Sequence, residues 1–398
     1  MAEWKRCEVK YEETYPSVLL DSGQLGPFPT HRLKRIDKPT TLITSSVQRI
    51  DRREDVLARA RRGELGASAQ REELRDGVKH PLSAGQIDVL LQLSAIKDNE
   101  VAACKAPISE DPKILSRHIK RLGYFLKADI VGICRIPESA VYSHDRQGNP
   151  IDINYRYAIV IVMSKEYETV NASEGHDWIG GPISFQAYIR AASVVHVMAD
   201  YIRRLGYDAS PQHVSGEAEE RYQVLIPPLL LWAGIGEVSR AGIILSPFLG
   251  LNFKAAAVLT NMPLEPDKPI DFGLQDFCEH CKICAVACPS KAIPMGSKVM
   301  YNGYETWKLD EKRCGMFWLL NQKGQGCNMC VKVCPWTRPY AWPHNLVRWA
   351  VERHSLAKRL AIKADYILGR GKADKKEKWW FDLEDVDGVL RIPLQDDD

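Results

Sequence analysis

The chain has 398 residues, 45% of them hydrophobic and 26% charged, which is ordinary for a folded protein with a sizeable core. Its formal net charge of +3 is too small to point to a nucleic-acid partner, and none is expected. No run approaches the ~18 apolar residues of a membrane span, and the first residues, MAEWKRCEVKYEETYPS, hold no apolar signal core. The expectation is therefore a cytoplasmic protein, or the processed form of an exported one. Residues 1–120 are polar and punctuated by proline, and read as an irregular, partly helical region. KILSRHIKRLGYFL (113–126) has helical spacing. IVGICRI (130–136) and YAIVIVMS (157–164) are apolar, β-branched runs of strand length. Between Ser184 and Leu205, Phe185, Tyr188, Ala192, Val195, Ala199 and Ile202 recur at steps of three and four, and Gly206 supplies a stop. VLIPPLLLWAGIG, from Val224, reads as a buried segment, and GIILSP and AAAVLT as further strands. Strands and helices thus alternate from about 121 to 270, which predicts an α/β or α+β unit.

Eight of the 11 cysteines lie between Cys278 and Cys334. The first array is Cys278-x2-Cys281-x2-Cys284-x3-Cys288-Pro289. The second is Cys327-x2-Cys330-x3-Cys334-Pro335, with Cys314 twelve residues before it. A disulfide framework would spread its cysteines, whereas this clustering argues for metal. Eight thiolates suit two [4Fe–4S] clusters. A tight turn offers three sulfurs to three corners of a cube, and the fourth cysteine of each run serves the other cluster. On that rule Cys278, Cys281, Cys284 and Cys334 hold one cluster, and Cys288, Cys314, Cys327 and Cys330 the other. Structural zinc is the competing reading, but it takes paired CxxC knuckles. Cys7, Cys104 and Cys134 stand apart and read as packing residues. Residues 271–345 thus form a ferredoxin-like iron–sulfur domain, followed by a Trp-rich tail (346–398) expected to pack back on the core.

Two clusters relay electrons without consuming them, so the chemistry lies upstream. WKLDEKRCGMFWLLNQKGQGCNMCVKVCPW (307–336), LTNMPLEPDKPIDFGLQDFC (259–278), GIGEVSRAGIILSPFLG (234–250) and FQAYIRAASVVHVMADYIRRLGYDA (185–209) resemble reductive dehalogenases, over roughly residues 110–345. The resemblance implies an α+β protein: a nitroreductase-like, cobalamin-binding α/β core joined to the ferredoxin-like domain. It implies replacement of halide by hydrogen on a small organohalide, with Co(I) cobalamin fed by the two clusters. An external donor (ferredoxin, flavodoxin or a membrane donor) would supply the electrons. No D-x-H-x-x-G stretch is present, in keeping with a base-off corrinoid. Cobalamin contacts are expected from Gly234, Gly236, Gly242, Ser246, Pro247, Gly250 and Asn252, although each glycine is as readily explained by a turn. The family pairs a proton-donating Tyr with a Lys or Arg, which points here to Tyr188 and Lys254, with His213 as a further candidate. Taken alone, Tyr188 reads as core, whereas Lys254 beside the AAAVL run is costly to bury unpaired. Trp178, Trp232, Trp336 and Trp342 are candidates for an apolar substrate pocket or for core. Epoxyqueuosine reductase, a tRNA-modifying relative, is the nearest alternative, followed by a cobalamin-reactivating protein and a pure electron carrier. The twin-arginine export signal of organohalide-respiring members is absent.

Overall fold

A computed structural model describes residues 15–75, 79–214, 222–321, 324, 326–367, 371–373, 384–387 and 389–391. Its centre is a four-stranded sheet of β1 (Ile130–Arg135), β2 (Tyr157–Ser164), β3 (Ala209–Gln212) and β4 (Phe253–Thr260). The order is β1–β2–β4–β3, and every pairing is antiparallel. The strands are apolar at nearly every position because both faces are covered. Val131, Ile133, Ile159, Ile161, Met163 and Val258 pack under two helices, α2 (Pro112–Phe125) and α3 (Gly180–Arg204). On the opposite face Ile130, Cys134, Val160, Val162, Ala257 and Leu259 meet α4 (Ile226–Trp232) and Phe248. Each buried valine, leucine, isoleucine or methionine among them contributes about 1.5–3 kcal/mol.

The helix signals act as read. Asp111 caps α2 by accepting from the backbone N–H groups of Lys113 and Ile114, and Pro112 occupies the first turn, where no intrahelical donor is needed. Helix α3 runs 25 residues and ends before Gly206, whose φ of +86° suits glycine. Pro227 and Pro228 are tolerated for the same reason as Pro112: both lie in the first turn of α4. One expected strand is mostly absent. In GIILSP only Ile244–Leu245 pairs, with Glu237–Val238, because the chain turns at Gly242 (φ +74°) before it and at Ser246–Gly250 after it. Upstream, α1 (Pro81–Ser94) lays Leu90 against Phe185 and Ala192 of α3.

The cysteine-bearing region carries α5 (Leu274–His280), α6 (Ile283–Ala287), α7 (Glu311–Leu319) and α8 (Met329–Lys332). It shares one apolar cluster with Trp178, Ile179 and Ile183 at the start of α3. The tail helices α9 (Trp342–Arg353) and α10 (Ser355–Ile367) pack on this same cluster through Val351, Ala361 and Ile362. Arg348 ties them down, donating to the carbonyls of Trp336 (3.0 Å) and Arg338 (2.5 Å). Among the described residues no helix is long and apolar enough to cross a membrane. Cys134 is a buried packing residue as expected, Cys104 is disulfide-bonded instead, and Cys7 lies outside the described residues.

Candidate active site and cysteine region

Short helices bring the eight thiols together. Cys278 lies on α5, Cys284 on α6, Cys314 on α7 and Cys330 on α8; Cys281 and Cys288 end α5 and α6. Gly326, at φ +90°, lets the chain before Cys327 pass close to Gly180, where a Cβ would meet backbone at 3.1 Å. The electrostatic neighbours fall into two sets. Cys278 feels Cys281 and Cys284, and Cys334 feels Cys278 and Cys281. Cys314 feels Cys330 and Cys288, and Cys327 feels Cys330, Cys314 and Cys288. The sets abut at Cys330, which also acts on Cys284 and Cys334. Burial drives most of these thiols upward: Cys281 to about 11, and Cys314 and Cys327 to about 12. Burial also raises Cys288, but the Ser290 hydroxyl and the backbone N–H groups of Ile293 and Ala292 outweigh it and hold that thiol below its ordinary value. Among the described residues no three His, Cys, Asp or Glu side chains are grouped to hold a single metal ion. Two coupled sets of soft sulfur donors are the donor chemistry of iron–sulfur clusters.

Two buried charges from the 234–250 segment frame this region. The Arg240 guanidinium is fully buried and donates to the carbonyls of Cys278 (2.8 Å), Glu279 (3.2 Å), Pro294 (2.9 Å) and Gly296 (2.8 Å). It also lies over the Trp307 ring, 4.9 Å from the centroid. Glu237 accepts from the backbone N–H of Phe272 (2.9 Å), from Gln275 Nε2 (3.2 Å) and from Thr40. Burial raises its pKa against the pull of those donors. Neither residue stood out in the sequence, where the only signal is a charge set inside an apolar, glycine-rich run.

The glycines of that segment answer to protein neighbours. A Cβ on Gly234 (φ +64°) would lie 2.0 Å from Arg35 Nη1 and 2.2 Å from the Lys268 carbonyl oxygen, and one on Gly236 would lie 2.2 Å from the Leu245 oxygen. Gly242 is exposed and faces Leu309; a Cβ on Gly250 (φ +59°) would lie 2.5 Å from the backbone of Trp336 and Thr337. Ser246 and Gly250 exchange backbone hydrogen bonds of 2.9 Å each, with buried Pro247 inside the turn. Asn252 differs. It is 5% exposed, its Nδ2 donates to the Lys165 carbonyl (2.8 Å), and its Oδ1 is buried with no hydrogen-bond partner among the described residues.

Tyr188 and Lys254 come together. Lys254, opposite Met163 on β4, places Nζ over the Tyr188 ring of α3, 4.8 Å from the centroid. Beside them is a residue the sequence did not flag. Lys165 follows the end of β2, is 4% exposed, and donates from Nζ to Asn328 Oδ1 at 2.8 Å. Burial pushes its pKa down to about 7; the Lys254 charge acts in the same direction and Cys330 opposes it. Asn328 sits at φ +59° next to Cys327, and the Ser173 hydroxyl donates to the Cys327 carbonyl at 3.1 Å. The second cysteine set therefore faces the Tyr188–Lys254 pair. His213 lies elsewhere, with Nε2 3.0 Å from Nε2 of His196, about two turns along α3 from Tyr188. Trp178 stacks on His80 with centroids 4.1 Å apart, and Trp336 is buried against Phe272. Trp342 is not core: it is 79% exposed on α9.

A 4Fe-4S dicluster domain family matches residues 277–338. The tetrachloroethene reductive dehalogenase of Sulfurospirillum multivorans is 29% identical over 314 residues, 69% of this chain and 61% of that protein. Its counterpart from Desulfitobacterium hafniense is 35% identical over 206 residues, 49% of this chain and 35% of that protein. The solved structure of the catabolic reductive dehalogenase NpRdhA superposes with a TM-score of 0.86 at 37% identity, covering 93% of this chain and 54% of that one. The fold is that of the reductive dehalogenases. The chain spans about a third to three fifths of the length of these relatives. An epoxyqueuosine reductase of Synechococcus sp. is more distant, 29% identical over 161 residues, which is 36% of this chain and 46% of that protein.

Proposed function

We propose that this chain is a reductive dehalogenase acting on a small organohalide with cobalamin and two [4Fe–4S] clusters. The observation that carries this reading is the cationic Lys254 Nζ seated over Tyr188, beside a cysteine set, within a reductive dehalogenase fold. A related solved structure is described as suggesting a mechanism for B12-dependent dehalogenation, and another holds 3-bromo-4-hydroxybenzoic acid. The Asn252 Oδ1 beside Lys165, buried with no hydrogen-bond partner among the described residues, supports a polar cofactor contact there. Cys278, Cys281, Cys284 and Cys334 would hold one cluster, and Cys288, Cys314, Cys327 and Cys330 the other, as their electrostatic pairing favours. When bound, cobalamin supplies the low-valent cobalt that reduces the carbon–halogen bond.

The protein supplies the rest. The carbon–halogen bond breaks, halide leaves with its electron pair, and a carbon–hydrogen bond forms at a cost of two electrons and one proton. The Tyr188 hydroxyl gives the proton, and the Lys254 ammonium balances the phenolate left behind. Solvent then returns a proton to Tyr188. The electrons arrive from an external donor through the clusters. Anaerobically reconstituted protein should contain about eight irons and one corrinoid cobalt per chain. Tyr188→Phe should lower halide release about 100-fold or more while leaving cobalt content unchanged. Protein that never takes up cobalt, or a phenylalanine variant that turns over normally, would sink the proposal.

A further inference from the structure

The two cysteine sets are not equivalent in their surroundings. The second faces Lys165, Lys254 and Tyr188. The first borders an open cleft of about 440 Å³ between α6 and α10, lined by none of those three residues. Lys282 and Ile283, which line the cleft, are the residues between Cys281 and Cys284. Four basic side chains, His280, Lys282, Arg359 and Lys363, line it with no carboxylate among them, and all four are exposed. Val286, 52% exposed, and Ile362 supply an apolar floor. Asp276, at the cleft's edge, is already engaged: Lys358 Nζ and His280 Nδ1 (3.5 Å) both pair with it. Glu279, also at this edge, lies 3.8 Å from Arg240.

We propose that this basic cleft is where the electron donor docks, and that the donor is a small, acidic one-electron carrier protein. The inference rests on the dehalogenase reading for its need of electrons. The order of the relay follows from the surroundings: electrons enter at the Cys278 set, pass to the Cys288 set, and leave toward Tyr188 and Lys254. A floor of aliphatic side chains ringed by exposed basic side chains fits a transient partner, for which steering governs the rate. It also brings the donor's cofactor beside the chain segment that holds Cys281 and Cys284.

The test is stopped-flow reduction of the oxidised, iron-loaded chain by an acidic [2Fe–2S] ferredoxin, read from bleaching of cluster absorbance. Titanium(III) citrate serves as a small reductant that needs no docking. The wild type should be reduced more slowly by ferredoxin as salt rises. Arg359→Glu with Lys363→Glu, on a helix that bears no cysteine, should slow that reduction roughly tenfold and flatten its salt dependence. Lys282→Glu should do the same, and titanium(III) should reduce all variants alike. Equal ferredoxin rates in wild type and the double variant would overturn the inference. So would a homodimer, detected by sedimentation, that the same substitutions dissociate, since the cleft would then be a self-association face. Halide plays no part in the readout: a chain that takes electrons here and never releases halide would refute the proposed function alone.

Discussion

A carboxyl group with no counter-cation among its hydrogen-bond partners is an expensive thing to bury, and Glu237 is 1% exposed and accepts only from neutral donors among the described residues. Its folded pKa lies above the ordinary carboxylate value, so the native state binds more protons than the unfolded one between about pH 4.5 and that raised pKa. Stability contributed by the protonated form is thus present at low pH and lost as pH rises through this window. Glu237→Gln removes the dependence. The variant's Tm relative to wild type should climb from pH 4.5 upward and level off above the raised pKa; a constant difference across pH would count against this account. At this scale the sequence was partly legible. Tyr188 sits at a core-facing position on its helix, and spacing alone assigns it to packing; only the resemblance paired it with Lys254. Lys165 and Arg240 were not legible at all. A lysine just past a strand reads as solvated, and nothing local reveals that Asn328, 163 residues on, accepts its hydrogen bond.

At the scale of elements, the 234–250 segment changes meaning once its neighbours are seen. Its glycines suggested a cradle for a large cofactor, yet Gly234, Gly236 and Gly250 each press on protein backbone. Gly234→Ala would combine an unfavourable φ of +64° with a Cβ 2.2 Å from the Lys268 oxygen. It should cost about 1–3 kcal/mol, seen as a lower urea midpoint. A direct cobalamin contact predicts the opposite pattern, lower cobalt content at unchanged stability. Strands β1, β2 and β4 and helices α2 and α3 were legible to within a few residues, because β-branched runs and caps are local signals. The strand expected in GIILSP shrank to two residues because its ends are set by turns packed against the cysteine region, which no local pattern encodes.

For the molecule as a whole, the spacing of the cysteines carried the most information, and it makes a separable prediction. If each array's last cysteine serves the other cluster, Cys281→Ser with Cys334→Ser strikes one cluster and leaves about four irons per chain. Cys330→Ser with Cys334→Ser then strikes both and leaves almost none. Arrays that each kept their own cluster would give the reverse iron counts. What spacing does not reveal is that the iron-binding layer and the sheet layer are joined through a common helix. Helix α3 begins in the apolar cluster shared with Cys278, Cys281, Cys288 and Cys334, and carries Tyr188 about two turns later. A single rod thus reaches from the cysteine-bearing cluster to Tyr188. Under the proposed mechanism, injury to the iron and misplacement of the Tyr188 hydroxyl would be one failure and not two.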